Sequence, residues 1–140
     1  MEELSILRDH MESKRYADAL NLIDEMEEMS REDKLNKIYS YAKVLLFHLI
    51  KQAAEKRTAR SWNASIYNAA KEIRRTHQRR KSGGQYADES DLREILIDAY
   101  DTALKYAAIE VFEGKFSEEE LAGIVDQPVI LEQPLKEVWP

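Results

Sequence analysis

The chain has 140 residues, 44% apolar and 34% charged, with a net charge of −6. That is the size and composition of one water-soluble hydrophobic core, so a single domain over residues 1–140 is expected. The absence of cysteine excludes disulfides, thiolate metal sites and cysteine nucleophiles, and it suits a reducing compartment. Met1-Glu2-Glu3 is the opposite of a basic secretory leader, and the longest apolar run, Val44 to Ile50, is interrupted by His48. A cytoplasmic protein with no membrane partner is expected.

No glycine or proline occurs before Ser82, so nothing in that stretch forces a helix to break. Leu35, Ile38, Ala42, Leu45 and Leu49 recur at three and four residues, as do Trp62, Ile66, Ala69 or Ala70, and Ile73, the period of helices with one buried stripe. The spacing predicts helices at about 2–14, 16–29, 31–55 and 59–80, with Trp62 in the core. The aperiodic segment 81–88, with the Gly83-Gly84 pair, predicts a loop. A fifth helix follows at about 89–113, stopped by a left-handed Gly114.

Phe116 to Leu121 carries the clearest local signal. Ser117 and Glu120 form a capping-box pattern, and Phe116 and Leu121 occupy the positions of a hydrophobic staple, so a short helix is expected to start there. Pro128 and Pro134 predict an extended tail beyond it with at most one more helical turn, and a peripheral Trp139. The fold class is therefore all-α: an antiparallel bundle of about five helices with a short C-terminal helix and an extended tail.

Charge is segregated along the chain. Residues 1–33 hold four Lys or Arg against eleven Asp or Glu, residues 34–81 thirteen against two, and residues 82–140 four against fourteen. Acidic helices packed beside the basic pair would neutralise it internally. The sharper reading is a nucleic-acid surface centred on Arg74, Arg75, His77, Arg79, Arg80 and Lys81. Cations at a helix C-terminus are also what its unpaired carbonyls favour, and the overall acidity argues against nucleic acid.

No phosphate loop, nucleophile elbow or zinc-binding helix occurs, and none of the three histidines has a glutamate three residues before it, so neither a metal nor another cofactor is implied. One polar constellation remains. Asp24, Glu25, Glu27 and Glu28 cluster in the second helix, His48 lies in the most apolar stretch of the third, and Arg57 and Arg60 precede Trp62. These residues can be a solvated acidic face, a hydrogen-bonded core histidine and a core tryptophan. They can also be an acid–base pair with an anion clamp, formed by Glu25 or Glu28, His48, and Arg57 or Arg60. In the structural reading the His48 ring is bonded to Glu25, Glu28 or Arg60.

The ordered set Leu22-Ile-Asp-Glu-Met-Glu-Glu-Met29, Val44-Leu-Leu-Phe-His-Leu-Ile-Lys51, Arg60-Ser-Trp62 and Trp139-Pro140 resembles the bacterial family called domain of unknown function 29 over almost the whole chain. The family's acidic motif falls on Asp24, Glu25, Glu27 and Met29, its histidine–lysine motif on Leu45, Leu46, His48, Leu49, Ile50 and Lys51, and its tryptophan motif on Arg57, Arg60, Ser61 and Trp62. Gln52 stands where the family often has tryptophan, Ser30 where it has glycine, and Gln127-Pro128 where it has cysteine-proline. The resemblance implies a small helical protein and no particular activity. Two functional readings follow: a non-enzymatic module that binds a protein partner or itself, and an enzyme or anion-binding site on the Glu/His/Arg constellation.

Overall fold

An unbroken run of helix-compatible residues keeps its i→i−4 ladder until a glycine, a proline or a capping residue interrupts it. The computed structural model describes residues 2–77 and 88–138, apart from the side chains at 29, 137 and 138. Its elements are α1 (Glu2–Glu12), α2 (Tyr16–Glu55), α3 (Arg60–His77), α4 (Glu89–Glu110), a 3-10 turn (Val111–Gly114), α5 (Glu118–Ile124) and α6 (Gln127–Val138). No strand occurs among the described residues. The predicted second and third helices are one helix of 40 residues, because nothing around Ser30 stops the ladder. Most of the segment read as a loop at 81–88, the cations Arg79, Arg80 and Lys81, and Trp139 lie outside the described residues.

The chain divides into two compact units, Met1–Lys34 and Leu35–Pro140, with α2 running through the boundary. In the first unit a tight turn, with Lys14 at φ 59° and the Arg15 N–H donating to the His10 carbonyl at 2.8 Å, leads from α1 into α2. Arg15 pairs with Asp9 at 2.7 Å across that turn. Ala19 is the one buried apolar residue described there, while Leu4, Ile6, Met11, Tyr16 and Leu20 are exposed.

The second unit holds the core. The predicted stripe Ile38, Ala42, Leu45 and Leu49 is buried, and so are Leu46 and Ile50, because α2 is covered on more than one side. Ala99, Ala103 and Ala107 repeat every fourth residue of α4 and are all buried, which lets a neighbouring helix approach closely. Tyr39 of α2 and Thr102 of α4 share a hydroxyl hydrogen bond of 3.1 Å.

Asp88 caps α4 through a capping box with Asp91, and Ser117 and Glu120 cap α5 as their spacing predicts. The C-terminal segment is a helix rather than an extended tail. Pro128 falls in its first turn, where an N–H has no intrahelical acceptor, and Asp126 faces the Val129 N–H at 3.4 Å. Buried Ile130, Pro134 and Leu135 then anchor α6, which packs on α3 and α4. This burial outweighs the single ladder bond lost at Pro134.

Gly114 has φ +74°, and a Cβ there would stand 2.9 Å from the Ile109 carbonyl oxygen, whereas a Cβ at Gly123 in α5 would meet nothing within 4 Å. Gly114→Ala is therefore expected to lower unfolding free energy by about 1–3 kcal/mol. Gly123→Ala is expected to be neutral or to stabilise by up to ~1 kcal/mol. Urea melts of the two variants, run side by side, check this.

Candidate functional site

The C-terminal ends of α2 and α4 meet around one lysine. Lys51 follows the apolar run of α2 and is itself buried, with only 8% of its side chain exposed. Its ammonium lies 2.9 Å from Glu110 Oε2 on α4 and 4.5 Å from the ring centres of both Phe47 and Trp62. A cation removed from water needs this compensation, and two aromatic faces with a carboxylate provide it.

A second layer sits above. The Arg57 guanidinium lies 4.5 Å from the Trp62 ring centre, and its Nε donates to Glu55 Oε1 at 2.8 Å. The other Glu55 oxygen accepts the Phe112 N–H at 3.0 Å. That backbone bond, with Arg57 beside it, holds the Glu55 carboxyl below its ordinary range. The bond secures a costly turn, because Phe112 and Glu113 take left-handed φ values of 50° and 59°. The connection from α2 to α3 is locked by Gln52, whose amide donates to Thr58 and Asn63 at 2.6 and 2.9 Å. The residue that departs from the family pattern at position 52 thus has a structural task.

Of the sequence constellation, Arg57 and Trp62 come together. Trp62 is half-buried at the edge of the core rather than inside it, because its ring faces cations. Arg60 opens α3 in an exposed position. Glu25 and Glu28 are exposed residues of the first unit and His48 belongs to the second.

The buried Nδ1 of His48 has no hydrogen-bond partner among the described residues. Its ring packs edge-on against Phe47 at 5.1 Å. Burial, reinforced by the Lys51 charge and opposed by Glu110, lowers its pKa below the ordinary 6.5, so the imidazole is neutral near pH 7. Lys51, Glu55 and Glu110 were missed as site residues. The available signal was a lysine closing an apolar run, with Glu55 one helical turn after it.

Among the described residues there are open clefts, one of which shares Phe47 and Glu110 with the Lys51 site. That cleft, of about 530 Å³, runs between α2 and α4 and is lined by Ser40, Lys43, Val44, Phe47, Thr102, Ala103, Tyr106, Ile109 and Glu110. Another, also about 530 Å³, is lined by Phe112, Glu113, Lys115, Phe116 and Ile124. Neither is lined by His48, Arg57, Arg60 or Trp62. Among the described residues no group of three His, Asp or Glu side chains could hold a metal ion, and no helix is long and apolar enough to cross a membrane.

Lys51→Ala removes a link between three helices, whereas Arg57 is more than half exposed. Losses of about 2 kcal/mol for Lys51→Ala and under about 1 kcal/mol for Arg57→Ala are expected in denaturant melts. The His48 shift also has a pH signature. The unfolded chain takes up the proton more readily than the folded one, so this contribution to stability is present above pH 6.5 and lost as pH falls through the lower folded value. The melting temperature should fall below pH 6.5 more steeply in the parent protein than in His48→Gln, and NMR should show His48 titrating below 6.5.

No curated protein and no solved structure matches the chain. The family model described as domain of unknown function DUF29 matches residues 2–139, nearly the whole sequence, and the chain belongs to that family.

Proposed function

We propose that this chain is a non-enzymatic helical module that binds protein through the cleft between α2 and α4. The observation that carries this reading is the cleft's lining, where Val44, Phe47, Tyr106 and Ile109 stand together and three of them are exposed. Single exposed apolar residues need no explanation, but a row of them in one groove between two helices suits the apolar face of a third. Ser40, Lys43 and Thr102 add polar groups at the cleft that can fix a partner's register. A cysteine-free chain fits work in the cytoplasm.

The acid–base reading of Glu25, Glu28, His48, Arg57 and Arg60 has less support. Arg57 is already engaged by Trp62 and Glu55, and the lowered pKa of His48 comes with no bonded carboxylate to orient the ring.

A photo-crosslinking residue at position 109, introduced in the living source cells, tests the proposal. A captured polypeptide, produced pure, should bind the parent protein and His48→Asn equally and Ile109→Glu at least about tenfold more weakly. Ile109 is 65% exposed, so the charge should not disturb folding. Unchanged binding by Ile109→Glu would overturn the reading.

A further inference from the structure

Neutralisation of the basic segment stops short of the outer face of α3. Lys51 and Arg57 have carboxylate partners. Arg60 and Lys71 make no ion pair among the described residues, and Arg75 meets Glu72 of its own helix at 3.8 Å. The helix buries one side, with Ala69, Ala70, Ile73, Thr76 and His77, and packs on α6. The opposite side carries Arg60, Ala64, Tyr67, Lys71 and Arg75 at steps of four, three, four and four residues, and all five are exposed. That spacing sets them in one row, roughly 22 Å long at about 1.5 Å of rise per residue. Glu72, the one acid of α3, falls one residue after Lys71 and so stands to the side of the row.

A row of cations without an acid in it calls for carboxylates or phosphates. Two features favour carboxylates carried on a helix. The alternation of three and four is the spacing at which two helices pack, and Ala64 leaves a hole beside the Tyr67 knob, a residue 66% exposed. An exposed tyrosine among cations also gives a partner helix apolar area to cover. Nucleic acid, in contrast, meets the field of a wide surface, and residues 82–140 alone hold fourteen acids against four bases. A single docked helix is about 10–12 Å across, little more than the screening length of about 8 Å, so it senses chiefly the row beneath it.

We infer that the outer face of α3 docks an acidic helical segment of a different protein, its carboxylates against Arg60, Lys71 and Arg75 and a small or apolar side chain against Tyr67. Copies of this chain, each at −6, repel one another, which disfavours a second copy as the source of the segment. No residue of α3 lines the α2–α4 cleft, so this surface stands whether or not the cleft is a docking site.

A photo-crosslinking residue in place of Tyr67, in the full chain within the source cells, tests this. The expected product is a polypeptide of another protein, joined within a helical segment that carries Asp or Glu at three- and four-residue spacing. A synthetic peptide of that segment should bind the parent protein less tightly as salt rises. It should bind Lys71→Glu at least about tenfold more weakly and Ile109→Glu as well as it binds the parent. Lys71 is exposed, and circular dichroism melts verify that the variant folds.

Capture of nucleic acid, of a second copy, of a segment without an acidic row, or of nothing overturns the inference. Binding that is unchanged in Lys71→Glu does the same. If Ile109→Glu loses the peptide while Lys71→Glu keeps it, the segment belongs in the cleft and not on α3.

Discussion

Much of the second unit is organised around the need to compensate one buried cation. An ammonium taken out of water costs several kcal/mol unless other groups replace its hydration. Lys51 meets this cost with Glu110 from α4, Phe47 from its own helix and Trp62 from α3. Three helices are thereby fixed in register at one end of the core. The partners are directional where the rest of the core is not: Leu46 or Ile50 can pack in several arrangements, but a lysine satisfied by two rings and one carboxylate allows few.

The same corner stores and offsets strain. Phe112 and Glu113 sit in a backbone region that side chains disfavour, and the Glu55 carboxylate satisfies the Phe112 N–H from the far end of α2. Arg57 then neutralises Glu55 and covers Trp62. The charged groups there are occupied with one another, which is why the corner reads as architecture rather than as a place for chemistry. His48 fits that pattern as a neutral ring beside a buried cation.

Reactivity and recognition differ in what they need from a surface. An active site needs unsatisfied polar groups converging on a reacting atom, whereas a docking site needs apolar area with polar groups around it. The cleft between α2 and α4 has Val44, Tyr106 and Ile109 open to water, with Lys43 and Glu110 beside them. The N-terminal unit also has exposed apolar residues, within a strongly acidic segment.

The helical class, the stripe from Ile38 to Leu49, the left-handed Gly114 and the Ser117–Glu120 box were legible in the sequence, because each depends on residues within a few positions of one another. The family was legible as well, since its motifs are strings along the chain. The continuity of α2 through Ser30 was not: a serine is compatible with either a cap or a helix interior, and local propensity does not choose between them. The helical state of Gln127–Val138 depended on burial of Ile130, Pro134 and Leu135, which involves residues remote in sequence. The partners of Lys51, His48 and Trp62 were hidden for the same reason. A sequence determines which side chains must leave water and where its helices can start and stop, but which carboxylate reaches which buried cation is a property of distances across the fold. Tertiary packing alone decided that Glu110 meets Lys51, and that the buried Nδ1 of His48 has no hydrogen-bond partner among the described residues.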